Sequence, residues 1–290
     1  MTASAPGNLG PYRLLNVVHR GHDTEVWQAY DDVRQRRYCI KTISERYRNN
    51  REHLGYLKQE AFVLGVVAHP RIIGTEGFHS DRGRAYLVLE WCPVPNMKSF
   101  LHQENQQQNR ERMKLIPKII QQAAEGLAQV HEKGYVHRDV KPENFLVSEE
   151  GDVKLIDFAL AQKARGGIMR LFSFRSKRQG TPSYMAPEQI RREPPDFPAD
   201  VYSFACTIFH FLAGRPPFVA DTPAELLNKH LKAAPPSVAS IDPCYTPEFA
   251  ELLRFSLAKD ARQRPPTMID FLALLGQVKV FRARPKAASG

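Results

Sequence analysis

Cysteine is scarce in this chain. Its four thiols in 290 residues, Cys39, Cys92, Cys206 and Cys244, stand far apart, with no C-x-x-C pair and no histidine at ligand spacing. That excludes a disulfide framework or a structural zinc site as the source of the fold and leaves reduced thiols of a cytoplasm as the plain reading. Long apolar runs are missing too. The most hydrophobic stretch, Val201 to Gly214, is shorter than the roughly 20 residues a membrane-spanning helix needs and contains Ser203, Thr207 and His210, so a buried helix explains it. Met1 to Gly10 lacks a basic start followed by an apolar core and does not read as a signal peptide. No internal repeat is evident, and biased composition is confined to the two ends.

Acidic residues are absent between Asp157 and Glu188, where Lys163, Arg165, Arg170, Arg175, Lys177 and Arg178 stand. Lys279, Arg282, Arg284 and Lys286 close the chain, and together these account for much of the formal net charge of +10. A solvated loop and tail is the first reading of these bases; pairing with phosphate or with an acidic protein partner are the others. No nucleic-acid motif accompanies them.

With 42% hydrophobic residues the chain can bury one or two substantial cores. Tyr12 to Val18, Val26 to Tyr30, Tyr38 to Thr42 and Ala85 to Glu90 are short β-type runs between polar turns, which predicts an antiparallel sheet. A helix from about His53 to Val67 interrupts them. After Pro95 the period becomes helical, with Leu115, Ile119, Ala123, Leu127 and Val130 on one face. The change falls at Trp91 to Pro95.

The next stretch is His137-Arg138-Asp139-Val140-Lys141-Pro142-Glu143-Asn144, followed by Asp157-Phe158-Ala159 and then Ala186-Pro187-Glu188. Phosphoryl transfer needs a carboxylate to orient the attacking hydroxyl, a cation on the transferred phosphate and oxygen ligands for magnesium. Asp139, Lys141, Asn144 and Asp157 supply those groups. The order and spacing resemble the catalytic segment of the protein-kinase family, of the serine/threonine type. The resemblance runs from about Tyr12 to Leu275, and the run Met185 to Gln189 is similar to that of bacterial members.

The resemblance implies a two-lobed α+β protein-kinase fold: a small antiparallel β-sheet lobe with one helix (12–92) and a larger, mainly helical lobe (93–276), between a disordered tail (1–11) and a basic tail (277–290). It implies that Asp139, Lys141 and Asn144 are catalytic and that Asn144 and Asp157 hold Mg2+. Lys41, in Tyr38-Cys39-Ile40-Lys41, would reach the α- and β-phosphates of ATP with Glu60 as its partner. Gly21 would lie over the phosphates. Val26 and Cys39 would form the roof of an adenine pocket, Leu146 its floor, Leu89 its gatekeeper, and Glu90 with Cys92 its hinge backbone. Asn96 stands where relatives place a polar group for the ribose. Asp200 matches an aspartate that holds the catalytic loop, and Arg264 an arginine that pairs with Glu188. Lys141 and Thr181 point to a serine or threonine acceptor on a protein substrate, or on the chain itself through autophosphorylation. No nucleic-acid partner and no membrane span are expected, and the location is cytoplasmic.

Two departures from the family pattern stand out. The glycine-rich loop aligns to His19-Arg20-Gly21-His22-Asp23-Thr24-Glu25-Val26 and keeps only its middle glycine. Ala159 replaces the glycine of Asp-Phe-Gly. Because glycine lets backbone amides approach phosphate closely, weaker nucleotide handling is expected. A pseudokinase that binds nucleotide or acts as a scaffold is therefore the alternative reading. A small-molecule kinase is disfavoured by Gly180 to Glu188, which resembles a peptide-docking segment. Arg138 is the expected receiver of a phosphate from Ser173 or Ser176, and the Thr181 hydroxyl is expected to touch Asp139 and Lys141.

Overall fold

The computed structural model describes residues 7–101, 106–164, 180–194 and 196–282, with only the backbone of 106–111. Ser173, Ser176 and most of the basic stretch lie outside the described residues. The first half forms β1 (Asn8–Leu9), β2 (Tyr12–Arg20), β3 (Thr24–Asp31), β4 (Arg36–Ile43), helix α1 (Arg51–Val66), β5 (Thr75–Asp81) and β6 (Arg84–Glu90). The strands make one antiparallel sheet in the order β1-β2-β3-β4-β6-β5. Alternation decides which face of β4 is buried: Tyr38, Ile40 and Thr42 are at most 2% exposed, while Cys39 and Lys41 point to the other side. Asn50 caps α1 by accepting from the amides of Glu52 and His53. The helix buries Leu57, Glu60, Val63 and Leu64, spaced to form one stripe.

The second half is mainly helical: α2 (Met97–Phe100), α3 (Gln106–Glu132), α4 (Pro187–Ile190), α5 (Phe197–Ala213), α6 (Pro223–Lys232), α7 (Pro247–Ser256) and α8 (Met268–Leu275). Two short strand pairs flank the loop after α3: β7 (Tyr135–Val136) with β10 (Gln162–Lys163), and β8 (Phe145–Val147) with β9 (Val153–Leu155). The apolar stretch Val201 to Phe211 is the interior of α5, almost wholly buried. In α3 the buried face is Ile116, Ile119, Ile120, Ala123, Ala124, Leu127 and Val130, with Leu115 at its edge. One continuous apolar core joins α1 and β6 to α3, β8 and β9. No described helix is long and apolar enough to cross a membrane.

The sequence reading needs correction at three places. The expected disordered start already carries structure at residues 8 and 9: Asn8 pairs with Arg13, and Leu9 is 3% exposed because the sheet edge offers it apolar cover. The expected basic tail is docked as far as Arg282, whose amide donates to the Cys244 carbonyl, while Phe281 stacks on Tyr245. β5 was not expected. Its sequence, Thr-Glu-Gly-Phe-His-Ser-Asp, lacks an apolar period because it is an edge strand, bulged between Thr75 and Gly77.

Candidate functional site

The loop between β7 and β8 is organised by one buried carboxylate. Asp200, in the first turn of α5, accepts from the amides of His137 (2.6 Å) and Arg138 (2.9 Å) and lies 3.1 Å from Nε2 of His131. Nδ1 of His131 accepts from the Met268 amide, so Nε2 carries the proton and donates to Asp200. Burial opposes charge on Asp200, but the His131 bond and neighbouring donors outweigh it and hold the carboxyl below its usual range. The anchor fixes Arg138 at φ +70, a left-handed conformation that costs a non-glycine residue roughly 1–3 kcal/mol. Gln189 adds a bond to the Arg138 carbonyl at 3.0 Å. The Arg138 guanidinium is buried, which pulls its pKa down, and its Nε and Nη1 have no hydrogen-bond partner among the described residues.

From this frame Asp139 is presented with both oxygens engaged. Oδ1 accepts from the amide (3.1 Å) and hydroxyl (2.9 Å) of Thr181; Oδ2 accepts from Lys141 Nζ at 2.6 Å. Lys141 also donates to the Thr181 hydroxyl at 3.1 Å, so that hydroxyl meets both residues, as expected. Gly180 precedes it at φ +111, where a side chain would be strained and a Cβ would lie 3.1 Å from the Arg138 carbonyl. The Asn144 amide nitrogen donates to the Asp139 carbonyl at 2.8 Å, which leaves its side-chain oxygen as the atom suited to a cation.

A second cluster joins the sheet to this loop. Lys41 Nζ donates to Glu60 (2.8 Å) and to Asp157 (2.9 Å). Glu60 also accepts from the Phe158 amide at 3.4 Å, and Gln59 donates to the Ala161 carbonyl, so α1 is seated against the segment after Asp157. Burial alone would raise the Asp157 carboxyl; Lys41 outweighs it and brings the pKa down to about 2. Burial disfavours charge on Lys41, but Asp157 and Glu60 outweigh it and raise its pKa. Asp157 is itself left-handed, φ +65.

Strand register puts the apolar candidates on the Lys41 face. Val26 pairs with Lys41, Cys39 is two residues from it, and Leu89 pairs with Cys39. Burial pushes the Cys39 thiol up to about 12, so it is inert and apolar in character. Leu146 bridges to Asn96 across the start of the helical half. Glu90 pairs through its side chain with Lys154 at 2.6 Å, and the Cys92 carbonyl accepts from the Val94 amide. The Asn96 side-chain oxygen accepts from the Ser99 amide and caps α2; the short helix needs an acceptor there, a use the ribose reading overlooked. Gly21 has no positive φ, and a Cβ on it would meet the Thr24 carbonyl at an ordinary 3.4 Å, so this turn does not exploit glycine's freedom. His22 and Asp23, without assigned partners in the sequence reading, contact Tyr47 and His53.

Residues 12–273 match the family described as protein kinase domain. The chain belongs to the protein kinase family. This kinase domain is 29% identical over 263 residues to a probable serine/threonine-protein kinase of Streptomyces coelicolor, covering 88% of this chain and 38% of that protein. It is 29% identical to the serine/threonine-protein kinase PknD of Mycobacterium tuberculosis, over 88% of this chain and 38% of that protein. To PknA of the same species it is 28% identical, over 96% and 63%. The chain thus spans less than two thirds of the length of these relatives.

Proposed function

We propose that this kinase domain transfers the γ-phosphate of ATP to a serine or threonine hydroxyl of a protein. The observation that carries the reading is the meeting of two charge clusters, Lys41 with Glu60 and Asp157, and Asp139 with Lys141 and Asn144. The donor set fits magnesium: Asp157 is ionised and the Asn144 oxygen remains for a hard cation, which prefers oxygen ligands. When bound there, the ion supplies neutralisation of phosphate charge. Lys41 would hold the α- and β-phosphates, and Val26, Cys39 and Leu146 the faces of the adenine ring. Asp139 orients the acceptor hydroxyl and takes its proton, while Lys141 steadies the transferred group. The Thr181 hydroxyl sits at hydrogen-bond distance from Asp139 and Lys141, the relation an acceptor hydroxyl needs.

The bacterial relatives named as serine/threonine kinases support the same reading. Only the eroded phosphate loop favours the pseudokinase alternative, since all the charged residues are present. Incubating the purified chain with magnesium and ATP labelled on the γ-phosphate, beside Asp139→Asn, decides between them. Label on the parent or an added protein and none with the variant supports transfer; no label on either, with nucleotide still bound, supports the pseudokinase.

A further inference from the structure

The turn between β2 and β3 aligns with the loop expected over the nucleotide phosphates, yet its tip is held from the side. Asp23 is gripped twice. Its carbonyl accepts from the Ser44 amide at 2.9 Å, and its carboxylate lies 2.9 Å from Nδ1 of His53 in the first turn of α1. The imidazole and the carboxylate face each other at that distance without an aligned hydrogen bond. Beside it, Tyr47 lies between two imidazoles, with ring centroids 5.2 Å from His22 and 4.8 Å from His53. Its hydroxyl is 3.2 Å from Nε2 of His22, and the Arg46 guanidinium covers its ring at 4.8 Å. Loop tip, the 3-10 turn Glu45–Tyr47 and α1 meet at one point.

His53 and Glu60 are seven residues apart, about two helical turns, so they share one face of α1. The first meets the loop tip and the second meets Lys41. We infer that Asp23 and His53 are positioning residues that clamp the phosphate loop to α1, so that the loop, the helix and the Lys41–Glu60 pair move as one body when nucleotide binds. The inference rests on the proposed function for the identity of the ligand, while the clamp itself rests on these distances. It also gives the eroded loop a rationale. A glycine-rich loop finds the phosphates by plasticity; a tethered loop is carried to them by the helix. Coupling of this kind is reciprocal, so nucleotide must firm the start of α1 as much as α1 firms the loop.

The test is amide hydrogen exchange over residues 51–66, with and without magnesium and a non-hydrolysable ATP analogue, in the parent, Asp23→Asn, His53→Gln and the double variant. KM for ATP and kcat are measured alongside. In the parent, nucleotide slows exchange in the first two turns of α1. Each single substitution should reduce that slowing about two- to fivefold, the scale of a partly exposed ion pair, and raise KM by a similar factor with kcat unchanged. The double variant should be no worse than His53→Gln alone, because once the imidazole is gone the Asp23 carboxylate has no contact with α1 left to lose. Equal slowing in parent and variants, or losses that add, overturns the clamp. If the parent itself binds no nucleotide, the functional reading fails, and the nucleotide-free exchange rates decide the clamp: faster exchange at residues 51–57 in the variants supports it, and unchanged rates overturn it.

Discussion

The loop that carries Asp139 and the turn that carries Asp23 are built on opposite plans. Around Asp139 the unfavourable backbone of Arg138 is held by Asp200, a carboxylate 0% exposed with three polar partners, and by Gln189 of α4. Around Asp23 the contacts are one backbone bond from the Ser44 amide, a tilted contact between the Tyr47 and His53 rings, and the approach of the His53 and Asp23 side chains, 20% and 38% exposed. Buried, fully partnered groups fix geometry because each lost partner leaves a desolvated charge. Exposed pairs are worth up to about 1 kcal/mol and yield easily. Under the proposed function, the reacting carboxylate sits where structure is over-determined and the nucleotide cover where it can yield.

The sharpest break in that contrast is at Asp139. Replacing it by Asn keeps the shape and the Thr181 contacts but removes the carboxylate that the proposed function uses as proton acceptor. Turnover should fall by at least about a hundredfold, the lower range for general-base and positioning effects, while KM for ATP changes little. Steady-state kinetics with a protein acceptor measures both; transfer at the parent rate would assign the role elsewhere.

The next largest effect concerns stability around α4. Arg264, its side chain 0% exposed, binds Glu188 at 2.7 and 3.0 Å and also donates to the carbonyls of Ala258, Pro198 and Lys259. Glu188→Ala leaves the guanidinium buried without its counter-charge, which costs about 3–5 kcal/mol when a buried pair is broken. The remaining carbonyl bonds put the expected loss at the lower end. Chemical denaturation of parent and variant reads this directly, and a loss under about 1 kcal/mol would mean that the carbonyls suffice.

These contrasts also explain what could be read from sequence. The helix of Phe197–Ala213 was legible as a continuous apolar run because it is buried on all sides, and the antiparallel sheet because burial of one face writes a period into its strands. Strand β5 was not, since an edge strand with His79 and Ser80 turned to solvent carries no such period. Within the site, residue identities came from local motifs, but their meeting did not. Lys41, Glu60 and Asp157 are brought together only by α1 packing against the segment after Asp157, across 116 positions of sequence from Lys41 to Asp157. The capping of α2 by Asn96 and the approach of Asp23 to His53 had no local signal at all, because a cap needs a helix start and a side-chain contact needs a fold.

On the movable side, His19→Gly with Thr24→Gly should sharpen the comparison. Both residues flank the turn in strands β2 and β3, where, under the proposed function, their side chains would keep the backbone from approaching phosphate oxygens. The double substitution should lower KM for ATP by a few fold with kcat unchanged, less than any effect at Asp139. An unchanged or higher KM would mean that the tether to α1, not backbone access, sets nucleotide affinity.

The smallest expected effect lies where the two plans meet, at Asp157, which follows β9 beside the rigid loop and is gripped by Lys41 from the sheet. Its folded pKa of about 2 is below the ordinary 3.8, so the folded protein holds this proton less tightly than the unfolded chain. The carboxylate therefore contributes stability that is fully present above the ordinary value and fades as pH falls through about 4 towards 2. The side chain is 37% exposed, so water screens the pair and the contribution is modest. Thermal melts of the parent and Asp157→Asn should differ by a constant amount from neutral pH down to about pH 5, then converge on further acidification. A gap that persists to about pH 2.5 would show that the Lys41 contact adds no pH-linked stability, and that Asp157 is held by its backbone rather than by its charge.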